Sequence, residues 1–217
     1  MTPPPSSPSS SSPAAAAKLL RQARYIDSIH HPSQLPPDGG IEVAVAGRSN
    51  AGKSSLINRL CDQKSLARTS KTPGRTRQLV FFELDPMRKL VDLPGYGYAK
   101  VSGDLKAHWQ GLIQGYLDQR QALQGLVVVM DIRHPLKDTD IQLIEWAGQR
   151  GLSQHLVLTK ADKLSRSQWM RAVDKVRGKI HPQVGLQAFS ATSGLGIDEL
   201  LAAFDRWYQP HMNLTAP

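Results

Sequence analysis

The sequence predicts an α/β fold: a mostly parallel sheet of six strands with helices on both faces. Three observations predict it. Continuous apolar runs such as 126–130 and 155–158 alternate with segments of helical period, the pattern of strands buried on both faces. Gly47-Arg48-Ser49-Asn50-Ala51-Gly52-Lys53-Ser54 fits G-x-x-x-x-G-K-S and lies between an apolar run and a helix-starting segment, the context that gives this phosphate-cradling pattern its meaning. The chain has 217 residues, 40% of them hydrophobic, enough for one sizeable domain with a buried core.

Residues 1–17 are nearly all Pro, Ser and Ala, with no charge and nothing large to bury, and read as a disordered tail. An N-terminal extension, 18–40, follows; its stretch 19–26 is amphipathic and predicts a short helix. His30-His31 has no companion ligands nearby and reads as loop, and Pro36-Pro37-Asp38-Gly39-Gly40 breaks structure before the first strand, 41–46. The main domain is 41–210 and a short tail, 211–217, ends the chain. After the glycine loop, 55–60 starts a helix and 63–77 is basic, polar and aperiodic. Strands 79–84 and 89–93 flank Asp85-Pro86 and read as a hairpin. Pro94-Gly95-Tyr96-Gly97-Tyr98-Ala99 is glycine-punctuated. In 104–121 Leu105, Trp109, Leu112, Ile113, Tyr116 and Leu117 recur at helical spacing, which assigns Trp109 and Tyr116 to the core. The remainder reads as strand 126–130, helix 138–149, strand 155–158, helix 165–179, strand 184–189 and helix 197–208.

Composition narrows the function. A formal net charge of +9 favours polyanionic partners. The charge is clustered: Arg59, Lys64, Arg68, Lys71, Arg75 and Arg77 face only Asp62, and Arg166, Arg171, Lys175, Arg177 and Lys179 surround only Asp174. A single cysteine, Cys61, excludes an internal disulfide and a cysteine metal cluster. No apolar run approaches the roughly 20 residues that span a bilayer, and the N-terminus lacks a secretory pattern. The expectation is a cytoplasmic protein with no membrane partner.

The chemistry follows from residue types at fixed places. The loop's backbone N–H groups cradle phosphates at the positive end of a helix dipole; Lys53 reaches the β- and γ-phosphates and the Ser54 hydroxyl ligates magnesium. Asp92-Leu93-Pro94-Gly95 ends a strand, where the carboxylate holds Mg2+ through water and the Gly95 N–H meets the γ-phosphate. Thr159-Lys160-Ala161-Asp162 ends another. There Asp162 accepts from guanine N1–H and the 2-amino group, a donor pair adenine lacks, and Lys160 lays its stem over the base. Phe189-Ser190-Ala191 ends the next, placing a backbone N–H at guanine O6. All lie at strand C-terminal edges, where α/β sheets bind ligands.

With these elements in order, the chain resembles the P-loop GTPases related to translation factors, and specifically the EngB (YihA/YsxC) family. The narrower match is carried by 47–54, Thr72-Pro73-Gly74-Arg75-Thr76, Asp92 through Ala99, Asp131-Ile132-Arg133-His134-Pro135-Leu136-Lys137 and Thr159-Lys160-Ala161-Asp162. The resemblance spans about residues 19–208. It implies a P-loop NTPase of the Ras-like G-domain type: a monomeric GTPase, cycling between GTP and GDP, which assists assembly of the large ribosomal subunit (its rRNA and ribosomal proteins) and is needed for normal cell division. It also implies that Thr76 completes the magnesium shell with Ser54, and that Gly74, Arg75, Thr76, Arg77 and Gln78 form a switch ordered by the γ-phosphate. Lys53, Thr76 and Gly95 are then the catalytic set.

Two departures from the broader GTPase pattern carry expectations. Thr159 stands where asparagine is usual, which predicts modest nucleotide affinity. Tyr96 stands where a water-orienting glutamine is usual, which predicts slow intrinsic hydrolysis. Asn50 offers a compensating potassium ion, because an asparagine at this loop position helps bind K+ in related GTPases. Rival readings are a small-molecule kinase or ATPase, a GTPase at an anionic membrane surface, and an RNA-binding protein with a vestigial nucleotide site. The first has no use for Thr159 to Asp162, the second lacks a long amphipathic helix or lipidation motif, and the third leaves Lys53, Ser54, Asp92 and Thr76 without purpose.

Overall fold

The structure, a computed structural model, describes residues 13–67, 78–96 and 103–209, with 103–110 described by backbone alone. The described residues form helices α1 (Pro13–Leu20), α2 (Lys53–Leu60), α3 (Gly103–Gln119), α4 (Asp138–Gln149), α5 (Arg166–Arg177) and α6 (Ile197–Tyr208). Their strands are β1 (Arg24–Ile29), β2 (Ile41–Gly47), β3 (Leu79–Asp85), β4 (Arg88–Asp92), β5 (Leu123–Asp131), β6 (Ser153–Thr159) and β7 (Gly185–Ala188). One sheet runs in the order β1-β3-β4-β2-β5-β6-β7. The pairs from β4 through β7 are parallel, whereas β3 is antiparallel to both β4 and β1.

The sheet has seven strands, not the six expected. The additional one is β1, in a stretch the sequence predicts as a short helix. Of β1 only Ile29 is buried, while Tyr25 and Ile26 face solvent, so no alternation marks it. It is a strand because β3 offers an open edge whose backbone groups need partners. The helix lies earlier, at α1, and takes in residues 13–17 of the expected disordered tail. An alanine run is the best intrinsic helix former, and Ala16 and Leu20 bury themselves in the cluster built around Phe204 and Tyr208 of α6.

Period-2 alternation in β2 and β5 divides the core between two faces. Val43, Val45, Val127 and Val129 meet α1, α2 and α6 on one side. Ala44, Ala46, Leu126, Val128 and Met130 meet the other helices, with Tyr116 of α3 fully buried among them. Tyr116 is core, as its spacing predicts; the Trp109 side chain lies outside the described residues. Among the described residues no helix is long and apolar enough to cross a membrane. The parallel strands all point their C-terminal ends at one edge, and the site is built there.

Candidate nucleotide site

β2 delivers the chain to Gly47, where a side chain would meet the Val129 carbonyl oxygen at 2.7 Å, so only hydrogen fits. The loop then turns through left-handed conformations at Asn50 (φ 65°) and Gly52 (φ 95°). Ala51 N–H donates to Arg48 O at 3.0 Å, and Leu56 N–H to Gly52 O at 2.9 Å opens α2. This leaves Lys53 and Ser54 in the first turn of α2, at the positive end of its dipole.

Lys53 turns inward. Its ammonium donates to Oδ1 of Asp92, and both residues are buried. Parallel pairing of β2 with β4 sets Val45 beside Asp92 and so brings the carboxylate under the loop. Burial pushes the Asp92 carboxyl above its ordinary range, against the pull of Lys53. Beyond Asp92, Leu93 N–H bonds Val45 O at 2.9 Å, Leu93 and Pro94 are buried, and Gly95 packs on the loop. A Cβ on Gly95 would lie 2.9 Å from Ser49 Oγ.

The donors at this end suit a hard cation. Ser54 hydroxyl and Asp92 carboxylate are oxygen ligands, and magnesium takes one or two such protein oxygens with substrate phosphates rather than a protein cage. Among the described residues no group of three or more His, Cys, Asp or Glu could hold a metal ion.

The segment expected to read the base is packed onto the same loop. Thr159 Oγ lies within hydrogen-bonding reach of the Ala51 carbonyl and, at 3.1 Å, of the Met130 carbonyl. Lys160, at φ 62°, sends its ammonium to Asn50 O at 2.7 Å and to Asp131 Oδ2 at 3.0 Å. Despite its burial, hydrogen bonds from Arg133 and Lys160 hold the Asp131 carboxyl well below its ordinary range. Ala161 N–H donates to Phe189 O at 3.1 Å, joining this segment to the end of β7. The fully buried Ser190 donates its hydroxyl to Asp162 Oδ1 at 2.8 Å, which lowers the Asp162 carboxyl and keeps it ionised. Ala191 follows, half-buried.

The structure therefore gathers residues 47–54, Asp92 to Gly95, Thr159 to Asp162 and Phe189 to Ala191 along one sheet edge. Gln78 is described, half-buried at the entrance to β3. The expected switch residues Gly74, Arg75, Thr76 and Arg77 lie outside the described residues, as do Arg68, Lys71, Tyr98 and Ala99. Sequence reasoning missed Asp140, a fully buried carboxylate in the first turn of α4 that contacts both Arg48 and Tyr96. Nothing local distinguishes it from an ordinary acidic residue favoured at a helix start.

Residues 42–160 match the model of a family described as 50S ribosome-binding GTPases. The chain is similar to a probable GTP-binding protein EngB of Xanthomonas euvesicatoria pv. vesicatoria (strain 85-10), 56% identical over 202 residues that cover 91% of this chain and 98% of the relative. It is likewise similar to a probable GTP-binding protein EngB of Stenotrophomonas maltophilia (strain K279a), 58% identical over 193 residues covering 87% and 96%. A solved structure of a probable GTP-binding protein engB aligns with a TM-score of 0.61 at 22% identity, covering 76% of this chain and 98% of that one. That likeness speaks for the fold.

Proposed function

The chain belongs to the EngB family of GTP-binding proteins, and from that premise we propose that it is a slow, GTP-operated switch assisting assembly of the large ribosomal subunit. It is a P-loop GTPase. The observation that carries the reading is the joining of both nucleotide ends through one loop: Lys160 is tied to Asn50, while Lys53 and Asp92 meet under the same turn. A triphosphate held there has its base at Asp162 and its γ-phosphate at Gly95.

On entry of nucleotide, Lys53 exchanges the Asp92 carboxylate for phosphate oxygens. Asp92, freed from Lys53, would hold magnesium through water together with Ser54 and, by the family resemblance, Thr76. When bound, that ion neutralises developing phosphate charge. Tyr96 has no amide with which to orient water, and its hydroxyl is already committed to Asp140. Hydrolysis is accordingly slow until a cation or partner supplies charge. Asn50 supports potassium as that cation, and faster hydrolysis in KCl than in NaCl is the expected result. The net charge of +9 supports a polyanionic partner such as ribosomal RNA, and membership of the EngB family supports the large-subunit precursor as that partner, a role in cell division and a cytoplasmic monomer as the working form.

Two measurements test the reading. Asp162→Asn should move preference from GTP to xanthosine triphosphate, because the amide exchanges an acceptor for a donor; unchanged preference would refute the base assignment. Sedimentation with ribosomal particles should depend on whether GTP, GDP or no nucleotide is present. Binding indifferent to nucleotide would refute the switch.

A further inference from the structure

Asp140 is fully buried although it lies in the first turn of a helix, where a carboxylate ordinarily stays in water. One of its oxygens, Oδ2, accepts the Lys137 N–H at 3.0 Å, an ordinary helix-capping bond. The other contacts are not needed for capping. Oδ1 accepts the Tyr96 hydroxyl at 3.0 Å, and Arg48 Nε stands 3.3 Å from Oδ2. Arg48 also donates from Nη2 to His134 O at 2.7 Å. Asp140 thus joins three segments distant in sequence: the phosphate loop at Arg48, the Asp92–Gly95 segment at Tyr96, and the root of α4.

The Tyr96 backbone is docked as well. Its N–H reaches Gly47 O at 3.3 Å, its carbonyl accepts Ser49 N–H at 3.1 Å, and it forms a parallel bridge with Arg48. The residue as a whole is 5% exposed. Burial and the neighbouring Asp140 keep the phenol protonated, so it remains a donor. Gly95, one residue earlier, lies against Ser49, where a Cβ would stand 2.9 Å from Oγ and 3.3 Å from the backbone N. A displacement of Tyr96 therefore moves Gly95 relative to the phosphate loop.

We propose that Asp140 is a positioning residue for GTP hydrolysis: by holding Tyr96 and Arg48 together it latches Gly95 in register with the phosphate loop. The Tyr96 ring then acts away from the phosphates, as the arm of the latch rather than as a group orienting water. This inference rests on the GTPase reading of the site.

The test uses the full chain with Tyr96→Phe, which removes only the hydroxyl, and Asp140→Asn. GDP affinity, thermal unfolding and single-turnover GTP hydrolysis are measured for each and for the double variant. The latch predicts a hydrolysis rate lower by about tenfold, the effect of one lost buried hydrogen bond, in Tyr96→Phe, with GDP affinity within about twofold. It also predicts a double variant no slower than the slower single one, because both break the same link. A folded Tyr96→Phe hydrolysing at the wild-type rate overturns the proposal. So does a loss of GDP affinity equal to the loss of rate, which marks a general structural role. A wild-type chain that binds no GTP overturns the functional reading and the latch with it, and that result is visible before any variant is compared.

Discussion

The Lys53 ammonium and the Asp92 carboxylate form an ion pair beneath the phosphate loop, their side chains only 9% and 7% exposed. Each charge is out of water and compensated chiefly by the other. Removing one partner leaves the other buried and unpaired, which costs about 3–5 kcal/mol where such pairs have been cut. Lys53→Met should therefore destabilise the nucleotide-free protein by roughly that amount, and adding Asp92→Asn should restore much of it. Urea unfolding of the single and double variants without nucleotide checks this. Additive losses would show that the two side chains do not compensate each other.

Thr159 and Asp162 sit three residues apart and should fail in different ways. The Thr159 hydroxyl has one proton for two carbonyls, Ala51 O and Met130 O, and touches the loop rather than Asp162. Thr159→Val removes the one hydroxyl proton those carbonyls share, a loss of about 0.5–1.5 kcal/mol. The expected outcome is weaker binding of GTP and of xanthosine triphosphate by a similar factor, with base preference intact. Competition titrations with the two nucleotides against a fluorescent GDP measure it. A change in preference would move Thr159 into direct base recognition.

Much of this site was legible in the sequence because its chemistry restricts residue type at short spacing. Only glycine turns freely through φ 95° at position 52, and the guanine-reading role expected of position 162 calls for an acid. The parallel sheet was equally legible from uninterrupted apolar runs such as Leu126 to Met130. What escaped was settled by contacts distant in sequence. β1 carries no alternation and exists because β3 has an edge to fill, and α1 hides in a low-complexity run because its small alanines fit against α6. Asp140 reads as a routine helix-start acid until folding places Tyr96, 44 residues earlier, against it.

A second buried charge holds the far end of β2. Glu42 is fully buried and accepts from Tyr116 OH at 3.0 Å and from Arg120 at 3.0 Å (Nε) and 2.6 Å (Nη2). Arg120 also donates to Pro36 O at 2.6 Å, tying α3 to the loop before β2. Arg120→Ala should cost about 3–5 kcal/mol by stranding Glu42. Arg120→Lys should recover only part, because one ammonium cannot reproduce the fork. Chemical denaturation gives both numbers, and full recovery by lysine would deny the fork its role.

His155 gives the fold a predictable weakness in acid. It is buried on β6, where burial, offset in part by the hydrogen bond to Gln187, lowers its pKa from 6.5 to about 4. Its Nε2 lies 2.8 Å from Gln187 Oε1, and Gln187 in turn donates to Gly196 O at 2.5 Å, so the Gln187 oxygen is the acceptor and the neutral ring carries its proton on Nε2. The unfolded chain binds this proton near pH 6.5, whereas the folded chain resists it down to about pH 4. Stability from this group is therefore complete above pH 6.5 and falls as the pH drops through that window. The total is about 3 kcal/mol for a shift of this size. His155→Leu should be less stable near neutrality, because Gln187 loses its donor, yet its stability should change less between pH 6.5 and 4. Urea unfolding at half-unit pH steps compares the two slopes. Parallel slopes would mean that other groups carry the acid sensitivity and that His155 is protonated in the fold as readily as out of it.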